Sequence, residues 1–342
     1  MNERAPGDSG LPDKPAADAS ITPTLSVEGV RKYFPVQRGF FRRTVGWIKA
    51  VDGVSLWIPA GKTLALVGES GCGKTTVAKL VLRLLDADEG KIVFQGVDIG
   101  AIHRKQLQSL RRRMQIVFQD PYGSLNPRMT AGQSIAEGLL GLEMDKKKRA
   151  SRVEELLSLV GLGPESAGRY PHEFSGGQRQ RIGIARALSV NPSLIVCDEP
   201  VSALDVSIQA QIINLLEDLQ DRLGLSYLFI SHDLNLVGYL SDMVAVMYLG
   251  QIMETAPSET LFDNPVHPYT KALLSAVPVP EPGRGFDSEI LSGDVPSPLD
   301  PPPGCKFQGR CPLVENRCRQ EEIPFFETGP DHLVRCWKTT GN

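Results

Sequence analysis

Short apolar runs alternate with longer amphipathic stretches through most of the chain. The runs are rich in β-branched and aromatic residues and lie at 63–67, 194–199, 226–231 and 243–248. Apolar residues at helical spacing follow three of them, at 76–85, 206–223 and 233–240. Strands that alternate with helices predict an α/β fold with a mostly parallel core sheet, whose central strands are buried on both faces.

Shorter β-prone runs flank the first of these helices. They lie at 25–30, 50–56 and 90–96 and are bounded by turn residues, which predicts an antiparallel β subdomain. The stretch 35–49 predicts the long loop of a β-hairpin. Because that stretch also mixes arginines with Phe40, Phe41 and Trp47, a lipid-binding or partner-binding patch is the alternative.

A change of pattern at residue 121 indicates an insertion. A turn-rich loop is followed there by amphipathic helical patterns at 130–142 and 146–160, so we expect a helical subdomain at about 121–174. Near Pro278 the alternation ends, and proline, glycine and four cysteines follow. We expect a disordered tail over 1–23, a main domain over 24–277 and a small irregular Cys-rich C-terminal domain over 278–342.

Composition narrows the class of protein. The 342 residues carry a formal net charge of -3, which argues against nucleic acid as a partner. No apolar run reaches the ~18 residues of a membrane-spanning helix, and the N-terminal residues lack the apolar core of a signal peptide. We therefore expect a cytoplasmic protein, in which six cysteines favour metal binding or chemistry over disulfides.

The most specific local pattern is GESGCGKT at residues 68–75, between a predicted strand and a predicted helix. It fits G-x-x-x-x-G-K-[ST], in which glycines aim backbone N–H groups at phosphate oxygens. Lys74 is expected to reach the β- and γ-phosphates of ATP, and the Thr75 hydroxyl to bind Mg²⁺. Cys72 is either a thiol whose modification affects ATP binding or a small filler. The predicted ATP contacts here are Gly68, Ser70, Gly71, Cys72, Gly73, Lys74, Thr75 and Thr76.

Two acids end the predicted strand at 194–199. Asp198 follows four apolar residues and is expected to hold Mg²⁺ opposite Thr75. Glu199 follows directly and can polarise an attacking water as a general base. These positions predict hydrolysis of the bound nucleotide.

A second anion half-site is predicted at residues 174–181, FSGGQRQR. Ser175 is a suitable N-cap with Gln178 at the capping-box position, and Gly176 and Gly177 expose N–H groups at the helix start. A plain capped helix is the alternative reading of the same residues.

These motifs together resemble those of the ATP-binding-cassette (ABC) ATPases. In that family a signature such as Ser175, Gly176, Gly177 and Gln178 closes over the nucleotide held by a partner subunit. The resemblance implies adenine stacking by Phe34, with Tyr33 as competitor, and γ-phosphate sensing by Gln119 and His232. Gln119 would also contact Mg²⁺. A D-loop at the dimer seam would comprise Ser202, Ala203, Leu204 and Asp205.

Within this family, the stretches at 121–128, 199–205, 264–270 and 296–305 are similar to the peptide and nickel importer branch, above all the dipeptide-importer ATPases. The resemblance implies a second, homologous ATPase subunit, two transmembrane permease subunits and a periplasmic or lipoprotein peptide-binding protein. The two ATPase subunits of such systems are often different, and the sequence leaves open whether they are identical here. The chain would lie at the cytoplasmic face of the membrane, with its helical subdomain docked on the permease. The cargo stays open between dipeptides, longer peptides and nickel. A ribosome- or DNA-associated ATPase and a redox-sensing regulator are the other hypotheses.

Cys305, Cys311, Cys318 and Cys336, called the cysteine group below, follow the spacing C-x5-C-x6-C-x17-C. Four thiolates can hold an iron–sulfur cluster or a tetrahedral zinc ion, and the short C-x2-C unit of many zinc sites is absent. The resemblance to peptide-importer ATPases implies a [4Fe-4S] cluster, with zinc, free thiols or a disulfide as alternatives.

Overall fold

We describe a computed structural model of the chain over residues 23–39, 43–276, 296–299 and 301–340. The predicted disordered tail lies outside these residues except for Pro23. The expected domain boundary at 277/278 and both phenylalanines of the 35–49 stretch, Phe40 and Phe41, also lie outside them.

Twelve strands among the described residues form two sheets. They are β1 (Leu25–Arg38), β2 (Arg43–Ile58), β3 (Thr63–Val67), β4 (Glu89–Phe94), β5 (Val97–Asp98), β6 (Met114–Val117), β7 (Leu194–Asp198), β8 (Ser226–Ser231), β9 (Met243–Tyr248), β10 (Gln251–Pro257), β11 (Phe326–Gly329) and β12 (His332–Val334).

Eleven α-helices complete the regular structure of this part of the chain. They are α1 (Lys74–Val81), α2 (Arg104–Arg113), α3 (Pro121–Ser124), α4 (Ala131–Ala136), α5 (Lys146–Leu159), α6 (Gly176–Leu188), α7 (Val206–Leu223), α8 (Leu234–Leu240), α9 (Ser258–Asp263), α10 (Pro268–Ser275) and α11 (Asn316–Gln320). Short 3₁₀ turns lie at Glu137–Gly141, Pro164–Gly168, Pro171–Glu173 and Trp337–Thr340.

The larger sheet has the order β11-β12-β10-β9-β3-β8-β7-β6. Its five strands from β9 to β6 are parallel, and β10, β12 and β11 add an antiparallel edge. Side chains of β3 alternate between two cores: Leu64 and Leu66 face one hydrophobic cluster, while Ala65 and Val67 face the other. The predicted α/β fold is therefore confirmed, with a mixed rather than purely parallel sheet.

The smaller sheet is antiparallel, in the order β2-β1-β4-β5. Most of the stretch predicted as a hairpin loop at 35–49 is strand, because β1 and β2 remain paired out to Arg38 and Arg43. Its β-branched and aromatic residues explain the extension. Val45 and Trp47 on this arm are about half exposed.

Between β6 and β7 the structure is helical, as predicted. The pattern at 130–142 is divided, however, between α4 and a 3₁₀ turn at Glu137–Gly141. Gly138 and Gly141 in this turn weaken a continued α-helix. Asp145 caps α5 by accepting a hydrogen bond from the Lys148 N–H.

The C-terminal segment (296–299 and 301–340) is more regular than the sequence indicated. It contains α11 and the β11–β12 hairpin, and β12 pairs with β10 through Glu254 and Val334. The expected small irregular domain is corrected to this extent: the segment extends the main sheet. His332 Nε2 lies 2.8 Å from Oε1 of the fully buried Glu254, which ties the two strands together.

Glu254 is also the anchor for the start of α10. Its carboxylate accepts the backbone N–H groups of Val266 and His267 at 2.8 and 2.9 Å. The His267 imidazole is buried, and its Nδ1 accepts the N–H of Tyr269 at 3.0 Å, which requires a neutral ring. Burial lowers the pKa of His267 to about 4.

This burial predicts loss of stability in acid. In the unfolded chain His267 takes up a proton near its ordinary pKa of about 6.5, whereas in the folded chain it stays neutral down to about pH 4. About 3 kcal/mol of stability should therefore be lost as the pH falls through that window. We expect His267→Asn to be less stable at pH 7.5 in urea unfolding and to show a smaller loss between pH 7 and 5. The exposed His172→Asn should keep the parent's slope; equal slopes for all three proteins would contradict this account.

Candidate functional site

The predicted phosphate loop, residues 68–75, joins the end of β3 to the start of α1. Gly68 and Gly73 have φ values of 150° and 115°. A Cβ at Gly73 would lie 2.1 Å from the Ala50 carbonyl oxygen, and one at Gly68 would lie 2.1 Å from that of Met247. Only glycine fits so close to β2 and β9. The loop is therefore fixed by packing against both sheets.

Lys74, at the start of α1, is buried. Its Nζ donates to the carbonyl oxygens of Gly68 at 2.6 Å and Glu69 at 3.0 Å. The ammonium is thus held within the loop by neutral acceptors. Phosphate oxygens are stronger acceptors for an ammonium group than carbonyls, so the arrangement suits an anion.

Thr75 and Asp198 lie together, as the sequence predicted. The Thr75 hydroxyl donates to Asp198 Oδ1 at 3.2 Å. Burial raises the pKa of the Asp198 carboxyl, against the opposing effect of the Thr75 hydrogen bond and of Lys79 and Lys74. A hydroxyl and a carboxylate are hard oxygen ligands, so these two residues fit a Mg²⁺ ion.

Glu199 contacts two other predicted site residues, Gln119 and His232. Its Oε2 accepts from Gln119 Nε2 at 3.0 Å and lies 3.2 Å from His232 Nδ1. Its backbone has a φ of 49°, in the left-handed region that a glutamate rarely adopts. The three side chains come from the ends of adjacent strands: Gln119 just beyond β6, Glu199 beyond β7 and His232 beyond β8.

An open cavity of about 290 Å³ covers the phosphate loop. The residues that line it are Ile48, Lys49, Ala50, Ser70, Gly71, Cys72, Gly73, Lys74, Thr75, Thr76, Gln119, Glu199, Leu249, Gly250 and Pro298. The lining joins the phosphate loop, the acid after β7 and the arm of β2. Pro298, from the C-terminal segment, was not anticipated from the sequence.

The two candidate stacking aromatics have different surroundings. The Tyr33 hydroxyl donates to Asp52 Oδ1 at 2.5 Å, so this ring is tied to its neighbour. Phe34 is half-buried, points to the opposite face of β1 and pairs with Ile48 of the cavity lining. Neither aromatic lines the cavity itself. A lysine ammonium lies over each ring, Lys32 over Phe34 and Lys49 over Tyr33, so contact of Phe34 with a base stays a prediction.

The signature residues form the capping box that the sequence predicted. Ser175 Oγ accepts the Gln178 N–H at 3.3 Å, and the Gln178 side chain accepts the Ser175 N–H at 3.0 Å. A Cβ at Gly177 would lie 2.4 Å from Ile208 Cγ2, so the helix start packs tightly on α7. Within one chain these residues do not reach the cavity over the phosphate loop.

The predicted D-loop connects the acid to the signature. The Ser202 hydroxyl donates to the Glu199 carbonyl oxygen at 3.1 Å. Leu204 lies against Gly176, and Asp205 caps α7 by accepting the Ile208 N–H at 3.0 Å. Ala203 is exposed between them. Val206, at the start of α7, is 81% exposed, an apolar side chain available to a partner.

Two contacts of the phosphate loop were missed by sequence reasoning. The Glu69 N–H donates to the Tyr269 hydroxyl at 3.0 Å, and the Glu69 carboxylate accepts two hydrogen bonds from Arg310 at 2.9 and 3.0 Å. The sequence held one indication of the second contact. A carboxylate such as Glu69 inside an anion-binding loop requires a nearby cation.

The cysteine group is gathered in one place. Burial, together with the proximity of Cys311, Cys318 and Cys336, raises the pKa of the Cys305 thiol to about 12. The Cys305 N–H also donates to the Cys318 carbonyl oxygen at 2.8 Å. Among the described residues, no three His, Cys, Asp or Glu side chains are arranged around a single metal ion.

Comparison with protein families agrees with these motifs. The ABC transporter family matches residues 51–202, which include the phosphate loop, the signature and the acid after β7. The oligopeptide/dipeptide transporter C-terminal region matches residues 253–318, which include three members of the cysteine group. No helix in the part of the chain that the structure describes has both the length and the apolar character of a membrane span.

Similar proteins cover almost the whole chain. The oligopeptide transport ATP-binding protein AppF of Bacillus subtilis is 54% identical over 91% of this chain and 96% of its own. The probable peptide ABC transporter ATP-binding protein y4tS of Sinorhizobium fredii is 52% identical over 91% of this chain and 89% of its own.

Solved structures share the cassette part of the fold. The dimeric ATP-binding cassette MJ0796 with ADP and phosphate has a TM-score of 0.61 and 27% identity, and the alignment covers 68% of this chain and 98% of that one. The cbiO1 protein of Clostridium perfringens, part of the cbiONQ transporter complex, has a TM-score of 0.62 and 27% identity over 71% and 91%.

Proposed function

Because this chain belongs to the ATP-binding subunits of the oligopeptide and dipeptide branch of ABC transporters, we propose that it hydrolyses ATP to energise peptide import. The observation that carries the proposal is the convergence of Glu199, Gln119 and His232 beside the phosphate loop. These are the groups that a γ-phosphate and its attacking water require, at the ends of adjacent strands.

The phosphate loop and the residues at the base of the cavity would bind ATP. Lys74 would exchange its two carbonyl acceptors for phosphate oxygens, and the loop N–H groups would donate to the same chain of phosphates. Thr75 and Asp198 would hold Mg²⁺, with Gln119 as a further contact; the ion supplies charge compensation for the phosphates. Phe34 would stack on the adenine.

Glu199 would act as the general base in ATP hydrolysis. Its carboxylate would accept a proton from a water whose oxygen forms the new bond to the γ-phosphorus, while the bond from that phosphorus to ADP breaks. Gln119 and His232 already bind the same carboxylate, so they fix its direction and stand next to the reacting water.

The signature suggests a two-subunit site. Ser175, Gly177 and the start of α6 lie outside this chain's own cavity, so they would complete the cavity of a partner ATPase, with Val206 at the contact. We propose a second, different ATPase subunit, two permease subunits and a peptide-binding protein, at the cytoplasmic face of the membrane. The helical subdomain would meet the permease. The proposed cargo comprises dipeptides and longer peptides.

We further propose that the cysteine group holds a [4Fe-4S] cluster. Burial raises the pKa of the Cys305, Cys311 and Cys336 thiols, and each of these lies near enough to other members of the group to be affected by their charge. Binding of a metal centre would require the thiolate forms. A single zinc ion held by the four thiolates is the alternative, and the resemblance to peptide-importer ATPases is what favours the cluster.

The role of Glu199 can be tested in the assembled transporter. Glu199→Gln should retain ATP binding and lower ATP turnover by at least about a hundredfold, because a neutral amide cannot accept the proton. Lys74→Ala should instead weaken ATP binding itself. Turnover by phosphate release and affinity by equilibrium binding separate the two effects. Asp218→Asn, an exposed change on α7, serves as control; undiminished turnover in Glu199→Gln would remove this residue from the base role.

The stacking role of Phe34 has its own test. Phe34→Ala should weaken ATP binding about tenfold, the loss expected for one stacked base, whereas Phe34→Tyr should bind like the parent. Tyr33→Leu should leave the affinity unchanged. The reverse outcome, with Tyr33→Leu weak and Phe34→Ala normal, would assign the base to Tyr33.

The cysteine group can be tested on chain purified without oxygen. We expect about four iron atoms per chain, with matching sulfide and absorbance near about 400 nm. Cys311→Ala should lose the iron, while Cys197→Ala, buried in β7 and outside the group, should retain it. One equivalent of zinc without iron would overturn the cluster assignment.

A further inference from the structure

Arg310 of the C-terminal segment reaches the phosphate loop directly. Its Nη1 donates to both carboxylate oxygens of Glu69, at 2.9 and 3.0 Å, although the two residues are 241 positions apart in sequence. The Arg310 side chain is only 8% exposed and that of Glu69 22%. This is a largely desolvated ion pair at the edge of the loop rather than a surface contact.

Glu69 has an electrostatic cost for an anion-binding loop. Glu69 belongs to the phosphate loop, although it does not line the cavity. A carboxylate within the loop repels a bound anion unless a cation compensates it, and the low dielectric of a partly buried site strengthens that repulsion. Lys74 is directed to the carbonyl oxygens of Gly68 and Glu69, not to this carboxylate. Arg310 supplies the compensating charge.

Glu69 also fixes the loop geometry. Its N–H is held by the Tyr269 hydroxyl, its carboxylate by Arg310, and its carbonyl oxygen receives Lys74. A shift of Glu69 would therefore move an acceptor that directs the Lys74 ammonium. The loop is held from outside at the residue that orients its lysine.

Arg310 is itself rigidly placed. Phe307 packs against Tyr248 and Tyr269, with ring centroids 5.4 and 5.3 Å apart. The Arg310 N–H donates to the Phe307 carbonyl oxygen at 3.0 Å, within the turn that runs from Cys305 to Cys311. A packed turn thus positions the Arg310 guanidinium, so the side chain loses little conformational entropy when the ion pair with Glu69 forms.

We propose that Arg310 is a positioning residue for nucleotide binding, which neutralises Glu69 and fixes the loop carbonyls that direct Lys74. The inference rests on the proposed ATP site at the phosphate loop. It assigns to the C-terminal segment a direct part in that site. Removal of Arg310 alone leaves the negative charge of Glu69 uncompensated at the phosphate loop. Removal of both charges relieves this repulsion.

The test measures the affinity of the full-length chain for Mg²⁺-ADP by titration calorimetry. Arg310→Met should weaken binding about tenfold, a usual size for coupling between a site and its support. Arg310→Lys, which keeps the charge but loses the planar fork, should fall between Arg310→Met and the parent. Arg317→Met serves as matched control, because Arg317 pairs with Glu315 in the same segment, away from the loop; its affinity should equal the parent's.

The double variant Arg310→Met/Glu69→Gln is decisive. If Arg310 compensates Glu69, the double variant should bind ADP more tightly than Arg310→Met alone and recover most of the loss. A purely structural role predicts the opposite, since two changes in one packed region should weaken binding at least as much as one. Thermal unfolding without nucleotide is recorded for each protein, and a lower melting temperature with unchanged affinity would also overturn the proposal.

Lys74→Ala separates this inference from the proposed function. If Lys74→Ala binds ADP like the parent, the ATP site itself is misassigned. If Lys74→Ala loses binding while Arg310→Met keeps it, the site stands and the role of Arg310 is overturned.

Discussion

The parallel alignment of β3, β7 and β8 is the constraint on which the site depends. Their registers pair Val67 with Ser231 and Asp198 with Ile230, so three strands end at one edge of the sheet. The phosphate loop, both acids and the histidine therefore begin from neighbouring points. Ladder hydrogen bonds between buried strands set these distances to within a fraction of an ångström, which side chains on flexible loops could not do.

The local pattern of apolar and polar residues was sufficient to predict much of the fold. The bounds of β3, β8, β9 and α7 agree with the sequence pattern because each is a strong periodic run with clear ends. The C-terminal strands escaped detection because they are short and their stabilising contacts are distant. Glu254 interrupts the apolar pattern of β10, yet it is fully buried because His332, 78 positions away, and two backbone N–H groups satisfy its carboxylate.

The residues of the site were likewise predictable where they lie in local motifs, and were not predictable where their partners are distant in sequence. Lys74, Thr75, Asp198 and Glu199 lie in short motifs whose chemistry is readable from adjacent residues. The structure places Lys74, Thr75, Glu199 and Gln119 in one cavity. Asp198 contacts Thr75 and His232 contacts Glu199 beside it. The outer support of the phosphate loop was not predictable, since Tyr269 and Arg310 follow it by 200 or more positions. Pairing over such distances leaves no periodic trace in one sequence. The contact between the Tyr33 hydroxyl and Asp52 likewise left no trace in the sequence pattern.

The distance in sequence between Glu69 and Arg310 has a consequence for biosynthesis. A ribosome adds roughly 5–20 residues per second, so the guanidinium follows the carboxylate out of the exit tunnel by roughly 12–50 s. During that interval the nascent cassette holds an acid without its counter-charge. Affinity for nucleotide would then mature late in translation, and unfinished chains would compete poorly for the cell's ATP.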